Sequence, residues 1–205
     1  MFIQRLISRA ACVGFLLAVT VTGASAANLV TNPGFETGDL TGWQVFGLSG
    51  LSSVTVQSPD NGPSAPGTHN AFMANQHEAL ALVLKQSTAP GSAVPGTVFY
   101  SFDLKMGTMA NGGVFFVNIF AEQAGGGVIG GSGLMGPFWP ANWTPYQGSF
   151  VAPAGTDFLT IQFEAVTGAV VGTMSQMHVD NADLNQGSVV PSHSTSWGRM
   201  KALYR

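Results

Sequence analysis

The sequence predicts an all-β protein, a sandwich of two antiparallel sheets. Glycine and proline are frequent, with 27 and 11 copies in 205 residues, and they divide the chain into short segments, as turns between strands do. Between them, apolar residues tend to recur at every second position, which is the period of a half-buried strand. No segment shows a convincing amphipathic helix with capping residues. Many short strands separated by such turns are typical of a β-sandwich.

The clearest strands are predicted at residues 98–106 and 157–165, where apolar and polar side chains alternate. Residues 114–121 are apolar on both faces except at Asn118, which predicts a central strand covered on both sides. The segment 74–85 is compatible with a helix, but we favour a pair of strands with a turn at Gln76-His77. Further strands are expected at 43–46, 52–57, 69–74, 79–85 and 146–151.

Residues 1–26 have the features of a secretory signal peptide. Arg5 and Arg9 precede a short apolar core, and the run 24–26 (Ala-Ser-Ala) supplies the small residues of a cleavage site. Cys12, the single cysteine, lies in this segment, so the mature chain is expected to have no disulfide. We predict that residues 27–186 form one domain, and that the protein is secreted to the extracellular space or the cell surface.

The charge distribution and the lengths of the apolar segments argue against two classes of partner. Residues 27–186 contain two lysines and ten acidic residues, 2 − 10 = −8. Nucleic acid is therefore excluded as an expected partner, because binding to phosphates requires clustered Lys and Arg. Stable membrane insertion is not expected either, because a spanning helix needs about 20 apolar residues and no segment provides them.

Two motifs near the ends of the predicted domain indicate a family. Residues 28–43 read NLVTNPGFETGDLTGW, and residues 178–184 read HVDNADL. The first resembles the opening strand of secreted bacterial jelly-roll domains of the galactose-binding-like superfamily, which includes many carbohydrate-binding modules. The second resembles the closing strand of the same family. The resemblance implies an antiparallel jelly-roll β-sandwich in which the first strand lies near the last.

The resemblance also implies a calcium site. Glu36 and Asp180 are at positions similar to those of the family's calcium ligands, which backbone carbonyls complete. Ca²⁺ prefers about six to eight oxygen ligands, so two carboxylates supply only part of a site. Asp180 is predicted to share a face with the apolar Ala182 and Leu184, where an unpaired carboxylate is costly. The alternative is that Glu36 is a solvated turn residue and that Asp180 accepts backbone N–H bonds.

An aromatic run is the candidate ligand-binding surface. Residues 138–146 contain four aromatic residues within nine positions, between prolines. Sugars stack their apolar C–H faces on aromatic rings, and amide side chains bind their hydroxyls. The predicted ligand-binding residues are therefore Trp139, Asn142, Trp143 and Tyr146. The alternative for Trp143 and Tyr146 is packing in the core, which is also the interpretation for Trp43.

Two further patterns do not predict chemistry. Residues 125–130 match the Gly-x-Gly-x-x-Gly fingerprint, but more glycines and a proline follow where a helix should begin, so we interpret the segment as a flexible loop. His77 and Glu78 are adjacent, and His69 is a candidate neighbour for them across a strand pair, but no zinc-type spacing exists. We interpret these histidines as exposed turn residues.

Residues 187–205 begin as a polar linker and end in a basic and aromatic tail, with Trp197 and Arg199 among its residues. Contact with an anionic envelope surface is one hypothesis for this tail, and a disordered end is the other. For the domain, the resemblance and the aromatic run together predict a secreted, non-catalytic module that binds a polysaccharide, another glycan or another extracellular polymer. The alternative is a structural or adhesive surface or matrix protein without a discrete ligand pocket, and an enzyme ranks third.

Overall fold

Between residues 27 and 187, the part of the chain that the computed structural model describes, ten strands form two five-stranded antiparallel sheets. The strands are β1 (Gln44–Phe46), β2 (Ser52–Gln57), β3 (Asn70–Asn75), β4 (Ala81–Ser87), β5 (Gly96–Ala110), β6 (Val114–Gln123), β7 (Val128–Gly131), β8 (Thr144–Ala152), β9 (Thr156–Val166) and β10 (Met174–Asn185). In sheet A the strands lie in the order β1-β4-β9-β6-β7, and in sheet B they lie in the order β2-β3-β10-β5-β8. This architecture confirms the predicted all-β sandwich. The predicted signal peptide, residues 1–26, and the predicted tail beyond residue 187 lie outside the described residues.

The core lies between the two sheets and is built by the alternating residues that the sequence indicates. On β9, Leu159, Ile161 and Phe163 are fully buried, and the β6 residues that point the same way are buried too. The facing side chains of sheet B complete the core, among them Phe102, Leu104, Met177, Val179 and Leu184. Burial of this apolar surface is the main stabilising term, since the described domain contains no cysteine.

The opening segment runs beside the last strand, as the family resemblance implies. The backbone N–H of Leu29 donates to the carbonyl of Leu184 at 2.8 Å, and the N–H of Ala182 donates to the carbonyl of Pro33 at 3.0 Å. The side chain of Asn28 reinforces this contact, because it bonds to the Ala182 carbonyl and the Leu184 N–H. The two ends of the domain are therefore joined along one edge of the core.

Strand β7 corrects the interpretation of the glycine run as a flexible loop. Only the turn at 124–127 is outside a strand, and Val128–Gly131 pairs with β6 at the edge of sheet A. A side chain at Gly131 would overlap the Ile119 carbonyl oxygen, so glycine is what allows this close pairing. No helix follows, which agrees with the rejection of a nucleotide site.

The outer face of β6 is less covered than the sequence suggests. Phe116, Asn118 and Phe120 are half-buried, whereas the alternate residues are fully buried. The prediction of a strand covered on both sides is therefore wrong for the outer face. Between residues 27 and 187, no helix is long and apolar enough to cross a membrane.

Candidate functional site

Sheet A presents rows of aromatic and polar side chains on its outer face. The register places Phe46, Val83, Glu164 and Phe116 side by side across four strands. The next row, two residues closer to the N-terminal end of β9, places Gln44, Lys85, Gln162 and Asn118 together. A third row contains Ser87, Thr160 and Phe120. We call these three rows the sheet A face. They are carried by paired strands, which hold side chains more rigidly than loops do.

Hydrogen bonds orient the polar groups of the sheet A face. Glu164 Oε1 accepts a bond from Gln162 Nε2 at 2.8 Å and one from Asn118 Nδ2 at 3.4 Å. At the neighbouring strand, Lys85 Nζ lies 5.4 Å from the centre of the Phe46 ring, in the range of a cation–π contact. Phe46 nevertheless remains 49% exposed. The face therefore combines accessible aromatic surface with oriented donors and acceptors.

The predicted aromatic run does not form one surface. Trp139 is 55% exposed and Asn142 is exposed, both in the connection before β8. Tyr146 instead packs on the core ring of Phe102 and edge-on to Phe138, with ring centres 5.7 and 4.6 Å apart. The prediction of a platform that includes Tyr146 is therefore corrected, because the β8 alternation turns this side chain inward.

Trp143 is half-buried on the outer side of sheet B. Its Nε1 donates to Asp60 Oδ1 at 2.8 Å, and Lys105 Nζ lies 5.4 Å from its ring centre. Lys105 also pairs with the Asp60 carboxylate. The indole N–H of Trp143 is thus already bonded within the protein. A role for Trp139, Asn142 and Trp143 in ligand binding stays a prediction.

Asp180 is buried, but on the face opposite to the predicted one. Core-facing positions on β10 include Val179 before it and Ala182 after it, with a register shift between Asp180 and Asp183. Asn181, at a φ of 50°, lies within this bulge, and the extra residue reverses the alternation. Asp180 therefore pairs with Asp103 on the outer side of sheet B. The prediction that Asp180 shares a face with Ala182 and Leu184 is wrong.

The segment between β2 and β3 covers these two carboxylates. Asp180 Oδ2 accepts the backbone N–H of Gly62 at 2.6 Å, and its Oδ1 accepts the N–H of Asn181 at 2.7 Å. Asp103 accepts the N–H of Ser64 at 2.8 Å and the side-chain amide of Asn181 at 2.8 Å. Every carboxylate oxygen of the pair has a donor, as the Ser64 hydroxyl bonds Asp103 Oδ1 at 2.5 Å.

Glu36 lies near this cluster but is more exposed. Its Oε1 accepts the backbone N–H groups of Thr68 and His69, at 2.8 and 2.9 Å, and its Oε2 is 3.2 Å from His69 Nδ1. Burial raises the pKa of Glu36, but the bonds from His69 and Thr68 outweigh it, so the pKa lies below its usual value. His69 is thus a partner of Glu36 at the start of β3, whereas His77 follows the end of β3. The prediction that His69 lies near His77 is therefore wrong, because the two residues lie beyond opposite ends of β3.

These residues offer the oxygen ligands that Ca²⁺ prefers, but fewer side-chain oxygens than a complete calcium site needs. Asp180 and Asn181 bring hard oxygens close to Gly34, because a Cβ there would lie 3.4 Å from Asp180 Oδ1 and from Asn181 Oδ1, whereas Glu36 approaches the same position with its Cγ, at 3.7 Å. Within residues 27–187, no group of three or more His, Cys, Asp or Glu side chains is placed to hold one metal ion. A calcium ion here would therefore require several backbone carbonyls or waters.

A buried and a half-buried titratable group on this side of sheet B have shifted pKa values. Burial raises the pKa of Asp180 to about 7, and the charges of Asp103 and Glu36 add to the rise, while the N–H bonds from Gly62 and Asn181 oppose it. Burial lowers the pKa of His178 to about 4, and the positive charge of Lys105 contributes. The His178 ring is held by Asn70 Oδ1, 2.9 Å from its Nδ1, and by the Phe72 ring.

Comparison with known proteins finds similarity in structure and none in sequence. No family model and no curated protein matches the chain. The family 61 carbohydrate-binding module TmCBM61, solved in complex with β-1,4-galactotriose, is 16% identical with a TM-score of 0.52, covering 78% of this chain and 99% of that one. The CBM22-1 xylan-binding domain from Paenibacillus barcinonensis Xyn10C is 14% identical with a TM-score of 0.51, covering 81% and 98%.

The chain has the fold of these carbohydrate-binding modules. The enzymatically active domain of bacteriophage CBA120 tailspike protein 4 is also similar, at 15% identity and a TM-score of 0.62. That match covers 77% of this chain but only 21% of the tailspike chain. The fold described here therefore spans nearly the whole of each module chain and about a fifth of the solved tailspike chain.

The residues of the sheet A face were not among the predicted site residues. The sequence contained a signal for them, since Asn118 interrupts an apolar strand, and Gln162 and Glu164 alternate with the core residues of β9. Those positions become one surface only when the pairing of β4, β9 and β6 is known.

Proposed function

We propose that this domain is a secreted, non-catalytic carbohydrate-binding module, and that the sheet A face holds the glycan. The observation that carries the proposal is the lateral pairing of Phe116 with Glu164 and of Asn118 with Gln162 on neighbouring strands. A pyranose ring has an apolar C–H face and a rim of hydroxyl groups. Aromatic rings beside carboxylate and amide groups match both parts of such a ligand.

The hydrogen-bonding capacity of the sheet A face suits hydroxyl groups. Glu164 uses Oε1 to accept from Gln162 and Asn118, and its second oxygen provides a further acceptor. Gln162 and Asn118 retain their carbonyl oxygens as acceptors, and Lys85 contributes donors. Because the groups are oriented before a ligand arrives, less conformational entropy is lost on binding.

The structural neighbours support the class of ligand. One is described in complex with β-1,4-galactotriose and another as a xylan-binding domain. Both have this fold at low sequence identity, and a shared fold does not by itself fix a ligand. The identity of the glycan is therefore left to the experiment.

The spacing of carboxylates supports a non-catalytic role. On the sheet A face, Glu164 pairs with Phe116, and Glu122 lies six positions further along β6. At about 3.3 Å per residue, their Cα positions are roughly 20 Å apart along the strand, and the Glu122 carboxylate is bound by the Thr160 hydroxyl at 2.5 Å. Glycosidases place their two carboxylates about 5 to 10 Å apart. The closer pair, Asp103 and Asp180, is at most 1% exposed.

We also propose that Ca²⁺ binds beside Glu36 and Asp180 and has a structural role. The support is the two side-chain oxygens beside Gly34 and the raised pKa of Asp180, because a carboxylate whose charge is disfavoured by burial and by neighbouring carboxylates gains when a cation is added. When bound, the ion would supply positive charge to this cluster and link the opening segment to β10. Neither residue lies on the sheet A face.

A glycan array tests the proposed function. The purified protein should bind a defined set of neutral polysaccharides or oligosaccharides, with and without added Ca²⁺. Gln162→Ala should lose this signal while keeping its melting temperature, and Gln57→Ala, an exposed glutamine on β2, should keep it. Absence of binding to every glycan would contradict the proposal and favour a structural or adhesive protein.

A further inference from the structure

A second surface with the same chemical components lies on the outer face of sheet B. Phe99 on β5 is 47% exposed and pairs with Ser149 on β8 and Asn185 on β10. One row further along β5, Ser101 pairs with Gln147 and Asp183. These six residues line a groove of about 500 Å³, a volume in the range of small-molecule sites. We call it the Phe99 groove.

The polar groups of the Phe99 groove are arranged around the exposed Phe99 ring. Asn185 Nδ2 donates to Asp183 Oδ1 at 2.7 Å, which fixes both side chains. Gln147 and Ser149 are exposed on the other side of the ring. The lining contains one carboxylate and no cation, so an anionic ligand would be repelled and a neutral hydroxylated ligand would find acceptors and donors.

Two smaller hollows continue the groove. One, of about 290 Å³, shares Phe99 and adds residues of the 94–97 segment, and the other, of about 140 Å³, shares Ser101 and Asp183. The combined surface therefore extends on both sides of the groove. Such a length suits several linked sugar units better than a single one.

We propose that the Phe99 groove is a second carbohydrate-binding site, for a short neutral oligosaccharide that stacks one ring on Phe99. Asp183 and Asn185 bind hydroxyl groups on one side of that ring, and Gln147 and Ser149 bind those on the other. The two sheets pack face to face, so the groove and the sheet A face point in opposite directions. Occupation of one site therefore leaves the other open, and the groove does not depend on the proposed function of the sheet A face.

Backbone amide chemical shifts locate binding at each site separately. Cellotriose, xylotriose and β-1,4-mannotriose are titrated into the labelled protein, each up to its solubility limit. Binding in the groove should shift amides at 99–101, 147–149 and 183–185. Binding at the sheet A face should shift those at 83–87, 116–120 and 160–164. Phe99→Ala should weaken the first set about tenfold or abolish it, and Phe116→Ala should leave it unchanged.

Each outcome decides the proposal. Groove shifts that Phe99→Ala removes and Gln147→Ala weakens support it, whether or not the sheet A face responds. Shifts confined to the sheet A face overturn it while supporting the proposed function. Groove shifts that persist in a folded Phe99→Ala variant overturn the stacking role. No shift in either set, with any of the three sugars, overturns the groove site, whereas the sheet A face is tested by the glycan array.

Discussion

Asp103 and Asp180 face each other across β5 and β10, and both are buried, at 0% and 1% exposure. Two adjacent carboxylates away from water are unfavourable unless donors or protons compensate them. The donors come from Gly62 and Ser64, in the segment that crosses the outer side of sheet B. The pair therefore fixes this segment to the sheet. Burial is the main cause of the raised pKa of Asp180, and the charge of Asp103 adds to it.

Titration of Asp180 should show this raised pKa directly. We expect its side-chain carboxyl carbon to titrate near pH 7 instead of near 3.8. Because the folded state then binds the proton more tightly than the unfolded state, this group contributes stability below about pH 4 that is lost as the pH rises to about 7. Carbon-detected NMR of the labelled protein measures the titration, and a midpoint near 4 would contradict the account.

His178 should act in the opposite direction. Its pKa in the folded state, about 4, lies below the usual 6.5, so its contribution is present above pH 6.5 and is lost as the pH falls toward 4. Lys105 and Asp60 are the charges that act on it. The imidazole signal of His178 should therefore stay in its neutral form at pH 5.5. A protonated imidazole at that pH would show that the ring is accessible to water.

Calcium should raise the melting temperature and lower the pKa of Asp180 together. A ligand that binds only the folded state adds about 2.7 kcal/mol at a hundredfold excess over its dissociation constant. EDTA treatment followed by Ca²⁺ addition, monitored by calorimetry, tests the first effect. The Asp180 titration with and without Ca²⁺ tests the second. A melting temperature and an Asp180 pKa that are both unchanged by Ca²⁺ would contradict the proposed metal site.

Gly62→Ala should destabilise the protein, because a Cβ at this position would overlap the Asp103 carboxylate and lie 2.5 Å from Asp103 Cβ. Overpacking of this kind costs typically about 1 to 3 kcal/mol. Gly50→Ala is the matched control, since nothing lies within 4 Å of its Cβ position. Chemical denaturation measures both variants. Equal stability of the two would mean that the covering segment is not tightly fixed.

Trp139→Ala and Trp143→Ala should separate a surface role from a packing role. Trp139 is 55% exposed, so its removal should leave the melting temperature nearly unchanged and weaken glycan binding by about 1 to 3 kcal/mol if it stacks on a sugar. Trp143→Ala should lower the melting temperature, because it leaves Asp60 without one of its donors. A large loss of stability in Trp139→Ala would identify that residue as a packing residue.

Local patterns were sufficient to predict most of the strands. The alternation of Leu159, Ile161 and Phe163 predicts β9. The predicted turn at Gln76-His77 does fall between β3 and β4, but these strands do not form the predicted pair, because they lie in different sheets. Strand β7 was missed, since its glycines resemble those of a loop, although Gly131 is needed for close pairing. The face of Asp180 was wrong because one bulge residue, Asn181, reverses the alternation and leaves no clear signal in composition.

The candidate site was harder to predict than the fold. The aromatic run was predicted as a binding surface because its residues are close together in sequence, but Tyr146 packs against the core. The sheet A face combines side chains that are far apart in sequence, such as Lys85, Phe116 and Gln162. Only the pairing of strands brings them together, and β9 pairs with β4 and β6, neither of which is adjacent to it in sequence.

The most direct test of the central claim measures glycan binding on the sheet A face with two matched glutamine variants. Isothermal titration calorimetry compares the protein, Gln162→Ala and Gln57→Ala with a glycan selected from the array, starting with xylohexaose and β-1,4-galactotriose. The account predicts that Gln162→Ala weakens binding about tenfold or more, because Glu164 loses its orienting donor. Gln57→Ala should bind as the unaltered protein does. Equal affinity of all three proteins, or no heat with any glycan, would contradict the claim.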